Sequence, residues 1–315
     1  MENKKGGCDD SIAGQLFTAG LDNKSSSEDS IASQIFWNIS NLLRKAFFSV
    51  LSVGPVPSHV AFILDGNRRF AKKNKLSEGA GHVAGFLAVI NMLKYCYELG
   101  IKYATIYAFS LDNYRRRPDE VQLLMNLMQI KMEELNEVRG LVNQFGVRVY
   151  FIGNIHLLPE NVRKAAEKLM ETTAKNTKAV LAVCLAYTST NEIMLSVRQS
   201  CEEKWKNCPV AAPAENGMNG TDTGGWQKGE CIEVGDLEKH MFMAVTPEPD
   251  ILVRTSGETR LSNFLLWQTT HCLLYSPFAL WPEIGFQHLV WAVLNFQRHH
   301  AYFQKNKEKE KLKMA

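Results

Sequence analysis

Six short apolar runs alternate with longer stretches whose apolar residues recur every three or four positions. The runs are His59–Leu64, Tyr103–Phe109, Val147–Gly153, Ala179–Ala186, Asp250–Arg254 and Cys272–Ser276. The helical periodicity covers about 83–99, 118–144, 160–175, 190–206 and 283–303. A strand without a polar face has nothing to offer water, so it belongs in a sheet covered on both sides. A helix between successive strands is the connection that parallel pairing requires. The pattern predicts an α/β fold: a single domain with a central, mostly parallel six-stranded sheet flanked by helices.

In such a sheet every strand ends at the same edge, and ligands sit there. The first run stops at Asp65-Gly66-Asn67-Arg68-Arg69, before a helix. The second stops at Ser110-Leu111-Asp112-Asn113-Tyr114-Arg115-Arg116-Arg117, and the fifth leads into Arg254, Arg260 and Ser262. Asp65, Arg69, Asn113, Arg116, Arg254, Arg260 and Ser262 are therefore expected to converge on one crevice. Clustered arginines repel one another unless polyanions lie between them, and guanidinium matches phosphate through paired donors. One carboxylate amid arginines suits two diphosphates and one Mg²⁺, whose octahedron phosphate oxygens and water would complete. The alternative is that each cluster makes ordinary ion pairs with nearby Asp or Glu. Three clusters at three strand ends weigh against it.

Apolar stripes follow two of these clusters: Phe86, Leu87, Val89, Ile90 and Leu93, then Val121, Leu124, Met125, Leu127 and Met128. They either make core or line an apolar tunnel opening on the crevice. Periodicity fits both.

Other features narrow the setting. A net charge of +3 gives no argument for nucleic acid. The seven cysteines are odd in number and lack a Cys-x-x-Cys pair, which suggests a reducing compartment and no zinc site. Cys96, Cys184 and Cys272 fall in apolar segments, where a thiol packs as a small hydrophobe. No stretch is apolar for the roughly 18 residues that a membrane span needs. The first residues do not lead into a signal-peptide core. Residues 1–30 read as a disordered tail and 31–54 as an amphipathic helix ended by Gly54-Pro55. That helix could pack on the body, lie in a membrane interface, or dock a partner helix. A Gly/Pro/Asn-rich insertion spans 207–229 within a main domain of 55–303, and 304–315 is a charged tail.

The motifs resemble a known family. His59-Val-Ala-Phe-Ile-Leu-Asp-Gly-Asn-Arg-Arg-Phe, Gly81-His82, Tyr107-Ala-Phe-Ser110 with Asn113, Arg254 through Gln268, and Leu280-Trp-Pro-Glu283 follow one another at the spacing of the cis-prenyltransferases. These are the undecaprenyl and dehydrodolichyl diphosphate synthases, and the resemblance is strongest to the eukaryotic dehydrodolichyl branch with its plant rubber-type members. It implies a transferase that adds isopentenyl diphosphate units to an allylic diphosphate, farnesyl diphosphate, with each new double bond cis. It also implies roles. Asp65 holds Mg²⁺ on the allylic diphosphate, which Gly66, Asn67, Arg68, Arg69 and His82 enclose. Arg254, Arg260 and Ser262 hold the isopentenyl diphosphate. Asn113 lies near the carbon that loses its proton, with Arg116 as a diphosphate contact.

Three departures from the family stand out. Glu78 occupies a position where many relatives carry a diphosphate-binding arginine, while Arg68 replaces a bacterial glycine and can restore that charge. Leu273 stands near where bacterial homodimers carry a metal-binding glutamate. The C-terminal residues contain no Arg-x-Gly motif, which completes the neighbouring site in single-subunit members. The resemblance therefore implies a hetero-oligomer with a membrane-anchored subunit like the Nogo-B receptor, on the cytosolic face of the endoplasmic reticulum. A non-catalytic scaffold subunit is the chief competitor, but such subunits usually lose the motifs retained here. A Mg²⁺-dependent phosphatase would need a second carboxylate where Asn67 stands. A nucleotide-binding protein would need a glycine-rich phosphate loop, and none occurs.

Overall fold

The computed structural model describes residues 39, 42–136, 141–207 and 232–314. The tail 1–30 and nearly all of the insertion 207–229 lie outside the described residues. The chain divides into two units after Val50, and in the first the described residues 42–50 are helical.

In the second unit six strands form one sheet in the order β3-β4-β2-β1-β5-β6. They are β1 (His59–Ile63), β2 (Tyr103–Ser110), β3 (Val147–Ile152), β4 (Ala179–Tyr187), β5 (Ile251–Arg254) and β6 (Leu273–Tyr275). All five pairings are parallel, so "mostly parallel" understates the order. β1 is buried at every position and sits between β2 and β5, which is why its sequence is uniformly apolar after His59.

Helix α1 (Asn67–Lys73) follows β1 at once, and α2 (Glu78–Leu99) starts five residues before the expected 83. Ser77 sets that start: its extended backbone leaves the side chain free to accept the Ala80 N–H at 3.2 Å. Gly100 at φ 85° ends it in a left-handed turn. Within the stretch expected as one helix over 118–144, the described residues form α3 (Pro118–Asn136) and α4 (Leu141–Gln144). Beyond lie α5 (Glu160–Thr172), α6 (Ser189–Asn207), α7 (Val234–Lys239) and α8 (Phe286–Met314). α8 carries helical structure through the charged run that begins at Lys305. No single described helix is long and apolar enough to cross a membrane.

The packing that matters for the site lies under the β2, β4 and β5 ends. Tyr107 stacks on Phe264 with centroids 4.4 Å apart, and its hydroxyl donates to the Tyr187 carbonyl at 3.1 Å. Cys96, Cys184 and Cys272 are buried thiols, as their apolar surroundings in the sequence suggest. Trp281 is fully buried, edge-on to Phe62, and its indole donates to the Gly85 carbonyl at 2.8 Å. It thereby ties the Leu280–Glu283 segment to α2.

Candidate active site

The site begins with a register. Ile63 of β1 pairs with Arg254 of β5, so the residues just past β1 stand beside Arg254 at the sheet's C-terminal edge. Asp65 is anchored there through its backbone. Its carbonyl accepts from Trp281 N–H at 2.9 Å, Thr255 Oγ1 at 2.6 Å and Ser256 Oγ at 2.9 Å. Gly66 then turns at φ 118°, where a Cβ would stand 2.6 Å from Ser256 Oγ. This fixed turn aims the carboxylate. Its Oδ2 accepts from Arg254 Nη2 at 2.8 Å and its Oδ1 from Arg69 Nη2 at 3.1 Å. Burial tends to raise the Asp65 pKa, but the hydrogen bonds and charges of Arg254 and then Arg69 hold it below the usual carboxylate value.

Arg254 is buried, and its Nη1 donates to Ser262 Oγ at 2.6 Å and to the Arg260 carbonyl, while its Nε has no partner among the described residues. Ser262 and Asn263 have φ of 49° and 58°, a region that non-glycine residues seldom occupy. The strain is held from outside. Asn263 Oδ1 accepts from Thr190 N–H and Oγ1, each at 3.0 Å, and the Asn263 carbonyl accepts from Ser189 N–H at 2.8 Å. Asn113 is held by a capping box, in which its Oδ1 accepts the Ser110 N–H at 3.0 Å.

These ends open on a cavity of about 730 Å³. Asp65, Gly66, Asn67, Arg68, Arg69, His82, Asn113, Arg116, Arg254, Arg260 and Ser262 all line it. So do Phe86, Val89, Ile90, Leu93, Leu124, Leu127 and Met128, which makes one end polar and the rest apolar. The two stripes left ambiguous by the sequence thus divide. Met125 joins the core, Leu87 is exposed, and most of the others face the cavity.

Three buried polar atoms at the mouth lack partners, Asn67 Oδ1, His82 Nε2 and Arg254 Nε. Burial, followed by the nearby Arg116 charge, pushes the His82 pKa down, so its imidazole is neutral at pH 7. Unmet polar atoms in a lined cavity are where a polar ligand head would make its bonds.

Sequence reasoning missed two carboxylates. Glu120, buried on α3, pairs with Arg116 at 2.8 Å and Arg68 at 3.7 Å. Glu258 pairs with Arg260 and, at 3.8 Å, with Arg69. The arginine ring therefore has internal counter-ions as well as a cavity to face, so the ion-pair alternative is partly realised. Glu78 is drawn to Arg117 at 3.6 Å, and neither residue lines the cavity. Arg68 alone of that group brings charge to the mouth.

The family model described as "Putative undecaprenyl diphosphate synthase" matches residues 63–304. The chain is a member of the cis-prenyltransferase family. It is 56% identical over 274 residues to dehydrodolichyl diphosphate synthase CPT3 of Solanum lycopersicum, covering 86% of this chain and 94% of that one. It is 52% identical to the rubber cis-polyprenyltransferase HRT2 of Hevea brasiliensis, covering 87% and 95%. Against the human dehydrodolichyl diphosphate synthase complex subunit DHDDS it is 39% identical, covering 82% and 73%. The crystal structure of lavandulyl diphosphate synthase from Lavandula x intermedia, in complex with dimethylallyl diphosphate, matches with a TM-score of 0.65 and 27% identity, covering 77% of this cis-prenyltransferase and 95% of that enzyme.

Proposed function

We propose that this cis-prenyltransferase is a catalytic subunit that condenses isopentenyl diphosphate onto farnesyl diphosphate, making long-chain cis-polyprenyl diphosphate of dolichol or rubber type. The observation that carries the reading is the cavity itself. A mouth with the Asp65 carboxylate, a ring of arginines and three unmet polar atoms opens into an apolar chamber. That is the shape of a ligand with an anionic head and a hydrocarbon tail. Relatives named for dehydrodolichyl diphosphate and rubber synthesis support the product class, and the lavandulyl enzyme's bound diphosphate supports the head group.

Asp65 fits a metal that arrives with its substrate. Among the described residues no group of three acidic, His or Cys side chains could cage a cation. A single carboxylate plus diphosphate oxygens and water is a normal magnesium shell. Mg²⁺ bound there would neutralise charge building on the departing allylic diphosphate. The chain's own residues do the rest. Asn67, Arg68, Arg69 and His82, with the Gly66 backbone, enclose the allylic diphosphate; Arg254, Arg260 and Ser262 fix the isopentenyl diphosphate, and Arg116 adds a diphosphate contact. As the allylic C–O bond breaks, the isopentenyl double bond attacks the freed carbon. A proton then leaves from the carbon near Asn113 to the departed diphosphate, so no histidine or glutamate base is required. Fixed cationic donors favour this charge-separated transition state over the ground state.

The human relative's name, a complex subunit, supports a heteromer. We assign the partner as a membrane-anchored subunit resembling the Nogo-B receptor, which would hold this chain at the cytosolic face of the endoplasmic reticulum. The test is co-expression with such a subunit, farnesyl diphosphate and labelled isopentenyl diphosphate. Activity should need Mg²⁺ and the partner, and should be lost in Asp65→Ala. Near-normal turnover by Asp65→Ala in Mg²⁺ would overturn the site assignment.

A further inference from the structure

We infer that Thr190, the second residue of α6, is a positioning residue for the isopentenyl half of the mouth: its grip on Asn263 holds Ser262 in place and so sets the affinity for isopentenyl diphosphate without touching it. The inference rests on the reading above, in which Arg254, Arg260 and Ser262 hold that diphosphate.

The loop that carries Arg260 and Ser262 is bent against its own preference. Ser262, Asn263 and Leu265 have φ of 49°, 58° and 47°. Asparagine tolerates that left-handed region, but serine and leucine seldom enter it, so the three persist only where their neighbours over-determine them. Inside the site, Arg254 holds the loop at Ser262 Oγ and at the Arg260 carbonyl. A bound diphosphate competes for that same guanidinium. The loop therefore needs a support that the ligand leaves alone.

The first turn of α6 supplies it. Thr190 donates its N–H and its Oγ1 to Asn263 Oδ1, and Ser189 N–H reaches the Asn263 carbonyl. Ser189 Oγ accepts the Leu266 N–H at 2.9 Å, and Glu192 Oε2 accepts from Gln268 Nε2 at 3.0 Å. The helix cannot follow the loop if the loop relaxes. Glu192 is buried, its Oε1 accepts the Met243 N–H at 2.9 Å, and the Tyr187 hydroxyl donates to its Oε2 at 2.6 Å. Asn263 lines the cavity next to Ser262, so the clamp acts one residue from the substrate contact.

Of these three holders Thr190 alone is exposed, while Ser189 and Glu192 are buried. A methyl in place of its hydroxyl leaves Asn263 Oδ1 with the Thr190 N–H, so no buried polar group is orphaned. Thr190→Val therefore loosens the clamp by one bond without unseating α6.

The test uses the full chain with its partner. Isopentenyl diphosphate is titrated calorimetrically without allylic substrate, and steady-state kinetics follow with both substrates varied. Thr190→Val should weaken isopentenyl diphosphate binding about 3- to 10-fold, the worth of one hydrogen bond, and raise its KM by the same factor. The kcat at saturating isopentenyl diphosphate and the KM for farnesyl diphosphate should stay within about two-fold of wild type. Thr190→Ser keeps the hydroxyl and should bind like wild type. Asn263→Ala removes the acceptor of both Thr190 bonds and should weaken binding further than Thr190→Val does. The positioning role is overturned if Thr190→Val binds isopentenyl diphosphate as tightly as wild type, whatever its melting temperature. It is overturned equally if both substrates lose affinity together or if Thr190→Ser behaves like Thr190→Val. Arg260→Gln checks the underlying reading separately. An unchanged isopentenyl diphosphate affinity in that variant would remove the diphosphate from this half of the mouth, and the inference would fall with it.

Discussion

Asp65, two residues past the end of β1, and Arg254, at the end of the neighbouring parallel strand β5, share a charge-assisted hydrogen bond of 2.8 Å at the cavity mouth. Arg254 meets Asp65 with one fork nitrogen and Ser262 with the other, so it couples the two halves of the mouth. Arg254→Lys keeps the charge but not the fork, and one ammonium cannot hold both partners in that geometry. The expected result is a 10- to 100-fold rise in KM for isopentenyl diphosphate, roughly 1.4 to 2.7 kcal/mol of lost binding. Steady-state kinetics with varied isopentenyl diphosphate measures it. An unchanged KM would remove Arg254 from substrate binding.

Glu120 should act in the opposite sense. It is buried and holds Arg116 and Arg68, so it competes with any anion in the mouth. Glu120→Gln should tighten binding of inorganic diphosphate by about 3- to 10-fold, on the order of 1 kcal/mol because both arginines are partly solvated. Arg116→Gln should weaken it. Calorimetric titration of the two variants in low salt decides the sign.

Much of this was legible from residues and part was not. The apolar runs become strands because both sheet faces are covered, and parallel pairing then gathers Asp65, Asn113 and Arg254 at one edge. Glu120 was hidden because an acid in the first turn of a helix is unremarkable. Only the fold brings Arg68 of α1 and Arg116 of the Leu111–Arg115 turn's end onto it. The neighbours Leu124 and Met125 show a second limit. Periodicity identifies an inward face, but one of the pair meets the cavity and the other the core, and only volume distinguishes a filled interior from a chamber. The strained Ser262 and Asn263 carry no sequence signal, since their holders, Ser189 and Thr190, lie more than seventy positions away.

His59 gives a pH prediction remote from the chemistry. It is fully buried at the start of β1, with Nδ1 2.7 Å from the Pro247 carbonyl and Nε2 2.8 Å from Thr105 Oγ1. Burial pushes its pKa down to about 4, against a partial pull upward from the Pro247 hydrogen bond. The unfolded chain therefore takes up this proton first as pH falls. Stability from this group is complete above about 6.5 and is lost progressively down to about 4, by up to roughly 3 kcal/mol. Asp65, also depressed, adds a loss only at lower pH, through the ordinary carboxylate range and below. Urea midpoints should fall through the histidine window, and His59→Gln should be less stable but flatter there. A wild-type midpoint that stays level across it would contradict a buried neutral imidazole.

Gly85 tests whether Asn67 must face the cavity. A Cβ on Gly85 would stand 2.1 Å from Asn67 Oδ1, 2.9 Å from its Cγ and 3.2 Å from Trp281 Cδ1. Gly85→Ala gains about 1 kcal/mol of helix propensity within α2, while overpacking costs typically 1 to 3. The nearest clash is with the end of a polar side chain that has only a 3.4 Å bond to the Leu64 carbonyl, so Asn67 can rotate away, whereas the buried Trp281 cannot. The two terms then nearly cancel, and the melting temperature should move by only a few degrees. Activity should fall far more, by about ten-fold or greater, because Asn67 leaves the place proposed for its contact with the allylic diphosphate. Asn67→Ala should show the same kinetic loss, and the double variant should lose no more than either alone, the non-additivity expected of two changes acting through one group. Additive losses would mean that Gly85 acts through Trp281 and the Leu280–Glu283 segment instead.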